Sequence, residues 1–484
     1  LMTSADRGRT WTSLGDRTTG VDRRALTIMG QGATDTTLSL DDGVSYFPTI
    51  SALAESPRVK GLLYVGTDDG NLQRSRDGGR TWVELSRNVA GVPRGTWVRH
   101  VEASRHAPGT VYASFDGHQD GDFTVQLHRS TDYGATWTSI RGDLPAGHLV
   151  HVVREGPTSP EVLWAGTEFG LFVTHDGGAH WERIEGGMGP LPVHDLDFQT
   201  AMQDVVIATH ARGVWIMDQG MNVGRLTAAV RGQAAAILPI REAEQLRRAS
   251  TKAHAGDVVW RGANPPVAAL IDVWLREKPA AGSAIEIVDA AGRTVTRLPL
   301  DTARAGVQRV SWNLRLAPVR AGRGAAPSDD DDAPAGGAIG GRWATPGRYT
   351  ARLALGGRTV TQGFTVVDDP AVRLTPVVRA GWTRAVDSAA ALVREVDGFT
   401  AELRAERDRL AALPAAERGA QATRIEAVRD LAETAGELSQ RVAALYGGMA
   451  RVTALPTADQ RAQAAYFPTV LRDLRARWTT LRGR

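Results

Sequence analysis

Short apolar segments alternate with glycine-containing polar turns up to about residue 221, and the alternation itself repeats. Each repeat predicts four short β-strands, because apolar runs of this length bounded by turn residues are typical of strands. The first complete repeat lies within residues 45–86, and its predicted strands are Ile50–Leu53, Leu62–Val65, Leu72–Ser75 and Trp82–Leu85. Further repeats cover residues 97–140, 148–185 and 192–218.

One signature, Ser/Thr-x-Asp-x-Gly-x-x-Trp, falls between the third and fourth strands of a repeat. Its four copies are Ser4, Asp6, Gly8 and Trp11; Ser75, Asp77, Gly79 and Trp82; Ser130, Asp132, Gly134 and Trp137; and Thr174, Asp176, Gly178 and Trp181. The hydroxyl and the carboxylate can bond turn amides, glycine accepts a positive φ, and tryptophan fills a gap. The signature therefore predicts a structural hairpin and not a catalytic site.

The spacing of the signatures is close to that of propeller blades. Ser75 and Ser130 are 55 residues apart, and Ser130 and Thr174 are 44 apart, against roughly 40 to 50 residues for a blade. Because the chain starts inside a repeat, we expect a fragment that partners with missing N-terminal blades of the same protein. Ser39–Tyr46 matches the signature loosely and is interpreted as a connecting loop.

Two further domains are predicted after the blade region, 1–221. Residues 222–370 predict an Ig-like β-sandwich, with strands at Ala269–Trp274, Ile285–Val288, Val307–Trp312, Tyr349–Leu353 and Gly363–Val367. Within it, a Gly/Ala/Pro-rich segment carries Asp329–Asp332. This acidic run fits a solvated loop or a calcium site.

Residues 371–484 predict a three-helix bundle, because Ala, Leu, Arg and Glu dominate and apolar residues recur at helical spacing. Pro414 and the pair Gly447–Gly448 divide the predicted helices, which cover 376–412, 415–446 and 457–482. The predicted fold class is thus mainly β: a partial propeller, then a sandwich, then a helical bundle.

Composition excludes several functions. Lys and Arg number 57 against 54 Asp and Glu, and the basic residues are spread along the chain, which disfavours a nucleic-acid partner. There is no cysteine, so thiolate metal sites and disulfides are absent. No apolar run is long enough for a membrane span, and no motif indicates a cofactor.

The repeats resemble those of Asp-box (BNR-repeat) propellers, and the chain as a whole is similar to large bacterial proteins labelled glycosyl hydrolase or sortilin-like. The signature copies carry the resemblance, together with Leu62–Gly70 and Leu163–Gly170 before two of them. It implies an exported protein, extracellular or periplasmic, that acts on polysaccharides, glycoconjugates or peptides. A scaffold repeat does not establish an enzyme.

The turns between second and third strands carry the candidate catalytic groups, Asp68, Asp69, Asp116 and Glu168. A ring of acids at a channel mouth is what general acid/base cleavage of a glycosidic bond requires. The alternative is that Asp before Gly is an ordinary turn residue. Glu168 is least explained by the alternative, because its longer side chain does not cap its own turn.

Candidate ligand-binding residues come from two sets of equivalent positions. Alignment of the first strands places Ser51, Arg99, His151 and His194 together, and the last second-to-third-strand turn adds His210 and Arg212. The side chains either line the central channel or pack between blades. A metal shared by two histidines has no supporting carboxylate at fixed spacing, so no metal is predicted.

Two functions fit this sequence, beside a third possibility in which the missing N-terminal part carries the active site and this half completes it. The first is a glycosyl hydrolase-like propeller protein that binds, and as a glycoside hydrolase would cleave, a polysaccharide or glycoconjugate at the channel face. The second is a non-catalytic, sortilin-like propeller that captures peptides. Paired carboxylates in an open cleft would favour hydrolysis, and apolar pockets beside the inner strands would favour peptide capture.

Overall fold

The computed structural model describes residues 1–25, 27, 28, 31, 32, 34, 47–247, 265–320 and 339–483. These residues form two compact units, Leu1–Ala234 and Ala235–Arg484. Two segments singled out in the sequence, Ser39–Tyr46 and Asp329–Asp332, lie outside the described residues.

Antiparallel sheets of short strands make up the first unit. Two hairpins come first: β1 (Met2–Thr3) with β2 (Thr12–Ser13), and β3 (Thr27–Ile28) with β4 (Gln31–Gly32). The first blade is β5 (Ile50–Glu55), β6 (Leu63–Thr67), β7 (Leu72–Ser75) and β8 (Val83–Glu84). The second blade is β9 (Trp97–Ala103), β10 (Val111–Gly117), β11 (Asp122–Ser130) and β12 (Thr138–Ser139).

The third blade repeats this four-stranded order, and the fourth blade has three strands. The third consists of β13 (Val150–Glu155), β14 (Leu163–Thr167), β15 (Gly170–Thr174) and β16 (Glu182–Arg183). The fourth consists of β17 (Val193–Gln199), β18 (Asp204–Thr209) and β19 (Val214–Met217). Sequential antiparallel pairing in every blade is the propeller arrangement that the repeats predict.

The signature of the first blade closes the hairpin between β7 and β8. The Ser75 hydroxyl donates to Asp77 at 2.8 Å and accepts from the Gly79 N–H at 2.8 Å. The Trp82 indole N–H donates to the Gly79 carbonyl at 2.8 Å. The predicted hairpin chemistry is therefore confirmed for this copy.

The signature of the β1–β2 hairpin makes the same bonds but leaves its tryptophan in solvent. The Gly8 N–H donates to the Ser4 hydroxyl at 2.7 Å, and the Trp11 indole N–H donates to the Gly8 carbonyl at 3.1 Å. The prediction that the tryptophan fills a gap is wrong for Trp11, which is 60% exposed. Its indole lies over its own turn, where a Cβ added to Gly8 would be 3.7 Å from Cζ2 of Trp11.

Gly8 therefore differs from the other signature glycines in its surroundings. It is exposed, and the Trp11 indole is the neighbour that an added Cβ would meet, at an ordinary contact distance. Its φ of 85° still calls for glycine. In this copy the residue serves the backbone conformation alone.

In the second blade the tryptophan of the signature packs against a cluster formed by the first and second blades. The Gly134 N–H donates to the Ser130 hydroxyl at 2.7 Å, and the Trp137 indole N–H donates to the Gly134 carbonyl at 3.0 Å. Trp137 is only partly buried, but it contacts the hydrophobic cluster that contains Leu85. The predicted gap-filling role thus holds for Trp137 in part.

The third blade departs from the pattern at its indole. The Gly178 N–H donates to the Thr174 hydroxyl at 3.1 Å, as predicted. The Trp181 indole, however, donates to the Ile140 carbonyl of the second blade at 3.0 Å and not to Gly178. The cause is close packing, because a Cβ added to Gly178 would lie 2.7 Å from that same carbonyl oxygen. Trp181 is 8% exposed and joins two blades.

The signature glycines also set the contact between neighbouring sheets. Gly134 has a φ of 90°, and a Cβ added there would lie 2.5 Å from Cδ1 of Leu85, the residue directly after β8. A Cβ on Gly79 would lie 2.6 Å from Cδ1 of Leu14, directly after β2. Glycine is needed at both positions for backbone conformation and for close approach.

The second unit starts with a β-sandwich. Its strands are β20 (Ala235–Ile237), β21 (Ala243–Gln245), β22 (Ala269–Leu275), β23 (Ala284–Asp289), β24 (Thr294–Pro299), β25 (Gly306–Trp312), β26 (Gly347–Leu355) and β27 (Arg358–Asp368). One sheet has the order β20-β22-β25, and the other has the order β21-β27-β26-β23-β24. The pairs of these strands are antiparallel except β21 with β27.

Four helices follow the sandwich. The short helix α1 (Ala228–Arg231) belongs to the first unit, and α2 (Pro376–Ala411), α3 (Ala415–Ala420), α4 (Ala422–Arg451) and α5 (Ala458–Arg482) belong to the second. The predicted helix end before Gly447–Gly448 is wrong, since α4 continues to Arg451. Two glycines cost about 1 kcal/mol each in a helix, but Met449 and Ala450 beyond them are buried and hold the last turn in place.

The sandwich and the helices share one hydrophobic core. Buried residues from Ala235 in β20 to Trp478 in α5 form a continuous cluster. The Tyr446 hydroxyl of α4 donates a hydrogen bond to the Gly340 carbonyl at 2.9 Å. The two compact units divide at 234/235, and the domain boundaries at 221/222 and 370/371 stay predictions. Met221 packs in the core between the third and fourth blades.

Candidate functional site

The first strands of all four blades line a cavity of about 520 Å³. β5 contributes residues from Ser51 to Glu55, and β9 contributes residues from Arg99 to Ala103. β13 and β17 contribute a histidine each, His151 and His194, with charged neighbours. The four equivalent positions found by sequence alignment, Ser51, Arg99, His151 and His194, thus all reach the same cavity.

Each of these four residues occupies a β-bulge. In β5 the register passes from Ile50 opposite Thr67 to Ala52 opposite Gly66, which leaves Ser51 without an opposite residue. The same irregularity leaves Arg99, His151 and His194 as the extra residue of β9, β13 and β17. A bulge redirects a side chain out of the normal alternation of a strand. The repeated bulge explains why these side chains reach the cavity.

A second equivalent position lies beside each bulge, at the end of the second strand. Asp68, Glu168 and His210 each donate their backbone N–H to the carbonyl of the residue before the first strand of their blade. Asp116 pairs with Trp97 at the start of β9. We call the two sets together the channel ring: Ser51, Asp68, Arg99, Asp116, His151, Glu168, His194 and His210.

Arg99 links three blades within the channel ring. Its Nε lies 3.3 Å from Nδ1 of His151, and its Nη2 lies 3.4 Å from Nδ1 of His194. The guanidinium also lies over the Trp97 indole, 4.7 Å from the ring centroid. Because a guanidinium only donates, both imidazole Nδ1 atoms must accept. Each of these two histidines therefore carries its proton on Nε2 and is neutral.

His151 connects Arg99 to Glu168 by hydrogen bonds. Its Nε2–H donates to Glu168 Oε2 at 2.8 Å. The His151 side chain is 7% exposed and that of Glu168 is 38% exposed, so the carboxylate is the accessible member of the pair. Burial lowers the pKa of His151; the hydrogen bond to Glu168 opposes this shift, and the charge of Arg99 adds to it.

His194 and His210 form the neighbouring part of the channel ring. Their imidazoles stack with centroids 5.4 Å apart, and the His194 centroid is 4.5 Å from that of His151. Partial burial, the adjacent His151 and the charge of Arg99 lower the pKa of His194 to about 4. At neutral pH this imidazole supplies an uncharged N–H donor.

Asp116 forms a second imidazole–carboxylate pair with His118, which the sequence places only in a turn. His118 Nδ1 lies 2.6 Å from Asp116 Oδ1, and here the carboxylate is buried, at 2% exposed, while the imidazole is 44% exposed. The hydrogen bond to Asp116 raises the pKa of His118. Burial opposes ionisation of Asp116, but the hydrogen bonds from His118 outweigh it and lower the pKa of that carboxyl.

Other predicted site residues have structural hydrogen bonds or lie apart. Asp68 accepts from the backbone N–H and the hydroxyl of Thr49, at 2.6 and 2.8 Å. Asp69 is buried and accepts from Thr19 and Thr67. Arg212 is exposed in the β18–β19 turn and is not among the residues that line the cavity.

A further charged group of the cavity is not predicted by the sequence. Arg154 donates to Glu102 at 2.8 Å, to Asp195 at 2.9 Å and to the Leu196 carbonyl at 2.9 Å. The three charged residues lie on the first strands of three different blades. Side chains alternate between the two faces of a strand, and the bulge shifts this alternation by one residue. Counting in steps of two from the aligned histidines therefore does not predict that these three residues reach the cavity.

No group of three or more His, Asp or Glu side chains in the described ranges is placed to hold a metal ion. Among the helices of those ranges, none combines the length and the apolar character needed to cross a membrane.

No family model matches the chain, and no curated protein matches it. Solved structures similar to it include the extracellular domain of a putative hybrid two-component system from B. thetaiotaomicron, at 15% identity and a TM-score of 0.28, over 35% of this chain and 21% of the other. A structure of YCF48 bound to D1 peptide has 13% identity and a TM-score of 0.27, over 36% and 51%.

A GH74 xyloglucanase from Xanthomonas campestris is also similar, at 15% identity and a TM-score of 0.29. The match covers 65% of this chain, and this chain spans about half, 47%, of the length of the xyloglucanase. At TM-scores this low, the chain's own strands and contacts define its fold.

Proposed function

We propose that this propeller chain is exported and binds a polysaccharide or glycoconjugate at the channel ring. The observation that carries the proposal is the repeated bulge. In each blade it places at one cavity the side chain of a residue that has no opposite residue on the paired strand. The channel ring offers donors from Arg99 and His194 beside an accessible acceptor, Glu168. Sugar hydroxyls both donate and accept, so such a mixed set suits them.

Hydrolysis by two paired carboxylates has less support than binding. Asp68 and Asp69 are held by threonines, and Asp116 is buried against His118. Glu168 is the predicted acid whose carboxylate is accessible. The sortilin-like alternative, capture of peptides, would be favoured by apolar walls, whereas the bulge residues at this cavity are polar.

The test is a binding measurement on the intact chain. Calorimetry or affinity electrophoresis with a panel of neutral and acidic polysaccharides compares wild type with Arg99→Met, which keeps the length of the side chain and removes its donors. We expect binding by wild type and a loss of about 10-fold or more in the variant, since hydrogen bonds to a charged group contribute about 1.5–3 kcal/mol.

Arg80→Met is the matched control. Arg80 is an exposed arginine of the same unit in a signature turn, between third and fourth strands, and so at the opposite end of the strands from the channel ring. This variant should bind as wild type does. Binding of extended peptides with no binding of any polysaccharide would contradict the proposal in favour of the alternative.

A further inference from the structure

The channel ring and its neighbour His118 contain two imidazole–carboxylate pairs of opposite arrangement. In one pair the buried Asp116 holds His118, and the imidazole is accessible. In the other pair the buried His151 holds Glu168, and the carboxylate is accessible. An accessible proton donor and an accessible proton acceptor are the two groups that general acid–base catalysis needs.

The first pair presents a proton donor. Asp116 accepts from Nδ1–H of His118, which leaves Nε2–H for another group. The hydrogen bond also favours the protonated imidazole. The second pair presents an acceptor, because Glu168 Oε2 is bound by His151 while Oε1 has no hydrogen-bond partner among the described residues.

Contacts through Arg99 connect the two pairs. Trp97 lies under the Arg99 guanidinium at 4.7 Å and beside the His118 imidazole, with ring centroids 6.3 Å apart. On its other side, Arg99 contacts His151, the partner of Glu168. His118 and Glu168 are thus each connected to the Arg99 guanidinium through one intervening residue, which is Trp97 for His118 and His151 for Glu168.

Arg99 differs from the other arginine of the cavity in its pairing. Arg154 has two carboxylate partners, Glu102 and Asp195. No carboxylate of the described residues lies within ion-pair distance of Arg99, whose polar contacts are two neutral imidazoles. Its remaining N–H groups are suited to a carboxylate, which a guanidinium binds in a planar, two-point geometry.

We propose that the channel ring cleaves an acidic, uronate-containing polysaccharide by β-elimination, with Arg99 binding the sugar carboxylate, Glu168 acting as base and His118 as acid. This inference rests on the proposed function of the channel ring. A base, an acid and a cation without a carboxylate partner are together the set that elimination beside a carboxylate needs. Hydrolysis would require neither the cation nor a substrate carboxylate.

The step balances without a co-reactant. Glu168 Oε1 removes the proton on the carbon next to the carboxylate, and Arg99 stabilises the negative charge that develops on the carboxylate oxygens. The released electron pair forms a carbon–carbon double bond as the bond from the adjacent carbon to the glycosidic oxygen breaks. His118 Nε2–H gives its proton to that oxygen, and proton exchange with solvent resets Glu168 and His118.

The experiment incubates the intact chain with polygalacturonate, alginate and hyaluronan, and with xyloglucan as a neutral polymer. Ultraviolet absorbance of the conjugated product and new reducing ends are both followed. We expect the two signals to rise together on at least one acidic polymer and neither to rise on xyloglucan. Glu168→Gln and His118→Ala should each lower the rate about 100-fold or more.

Circular dichroism and the binding measurement show whether each variant is folded, and Arg80→Met, outside the channel ring, should keep the wild-type rate. Reducing ends without absorbance would mean hydrolysis and overturn the inference. Binding of acidic polymers without any cleavage would overturn it as well, and would leave the proposed binding function standing. No binding of any polysaccharide would overturn both.

Discussion

At the scale of single residues, the guanidinium of Arg99 determines the protonation of its neighbours. It offers only donors, so His151 and His194 accept on Nδ1 and stay neutral. His118, which pairs with a carboxylate, has the opposite tendency. The three histidines thus differ in how readily they take up a proton because of their partners, which makes their titration a direct test of the site.

Arg99→Met should raise the pKa of His194 from about 4 toward its ordinary value, and raise that of His151. The rise should be partial, because burial is the main cause of both shifts and the arginine charge adds to it. Histidine NMR titration of the intact chain measures it. Arg80→Met should leave both midpoints in place, and an unchanged His194 midpoint in Arg99→Met would contradict the assigned contacts.

Asp116→Asn should lower the pKa of His118, because the hydrogen bond that raises it loses its charge. The folded-state pKa lies above the unfolded value, so the stabilisation is complete below the unfolded value and is lost as the pH rises through the folded one. Urea unfolding at several pH values should show that the variant loses this dependence. His180, whose pKa is raised by Asp176, is the internal control and should titrate as before.

Part of the site could be predicted from single residues. Alignment of the repeats brought Ser51, Arg99, His151 and His194 together, and Glu168 stood out because turn chemistry does not require it. The pairing of Arg99 with two imidazoles could not be predicted, since it depends on the separation of side chains from three blades. The sequence also gives no sign that Thr19, far from Asp69 along the chain, donates to the Asp69 carboxylate.

At the scale of elements, the signature turn joins one sheet to the next. In the second blade its hydroxyl, carboxylate and indole close a hairpin, as the sequence predicts, and Thr136 lowers the pKa of Asp132 to about 2 by donating from its side chain and backbone. The contact of its glycine with the preceding sheet was not predicted. Local patterns give the turn, whereas the approach of Leu85 to Gly134 depends on how blades pack.

The four tryptophans of the signature also show that a local sequence pattern does not predict packing between blades. Their spacing is identical in the sequence, yet Trp11 is 60% exposed and Trp181 is 8% exposed. Trp137 lies between these extremes, against the cluster that the first and second blades share. Burial of the indole depends on the neighbouring sheet, which an eight-residue motif does not specify.

Gly134→Ala should destabilise the first unit by more than the same change at Gly121. Both glycines have a positive φ, of 90° and 76°, which costs alanine about 1–2 kcal/mol. Only at Gly134 would the new Cβ meet a side chain, Leu85, which adds about 1–3 kcal/mol of overpacking. Urea unfolding compares the two variants, and equal losses would argue against the close approach.

Helix ends are also only partly specified by local patterns. The beginning of α5 follows from sequence, since Thr457 and Gln460 form a capping box. The end of α4 does not, because two glycines indicate a stop while the Met449 carbonyl beyond them accepts from the Trp382 indole. Tertiary packing outweighed the local preference at this point.

At the scale of the whole molecule, the described chain consists of two compact units with different internal construction. The first unit buries its side chains between successive blades, in separate clusters. The second unit has one cluster that includes both sandwich sheets and the helices. The composition shift near residue 371 predicted a new kind of secondary structure correctly but carried no information about which elements share a core.

Trp382→Ala should destabilise the sandwich and the helices together. The side chain is 1% exposed, and its loss from a core costs about 3–5 kcal/mol. Hydrogen exchange should show amides of β22 and α2 becoming less protected by the same factor, because they belong to one core. Val377→Ala on the same helix, at a side chain 77% exposed, is the control. Faster exchange confined to α2 would contradict a common core.

The four bulges allow the walls of the cavity to vary while the sheets stay the same. An extra residue has no cross-strand partner to satisfy, so serine, arginine and histidine occupy the same position in different blades without altering the pairing around it. Simultaneous randomisation of residues 51, 99, 151 and 194 would therefore yield a collection of folded propellers with altered selectivity. The molecule is in this sense a scaffold with four positions at which the side chain can be exchanged.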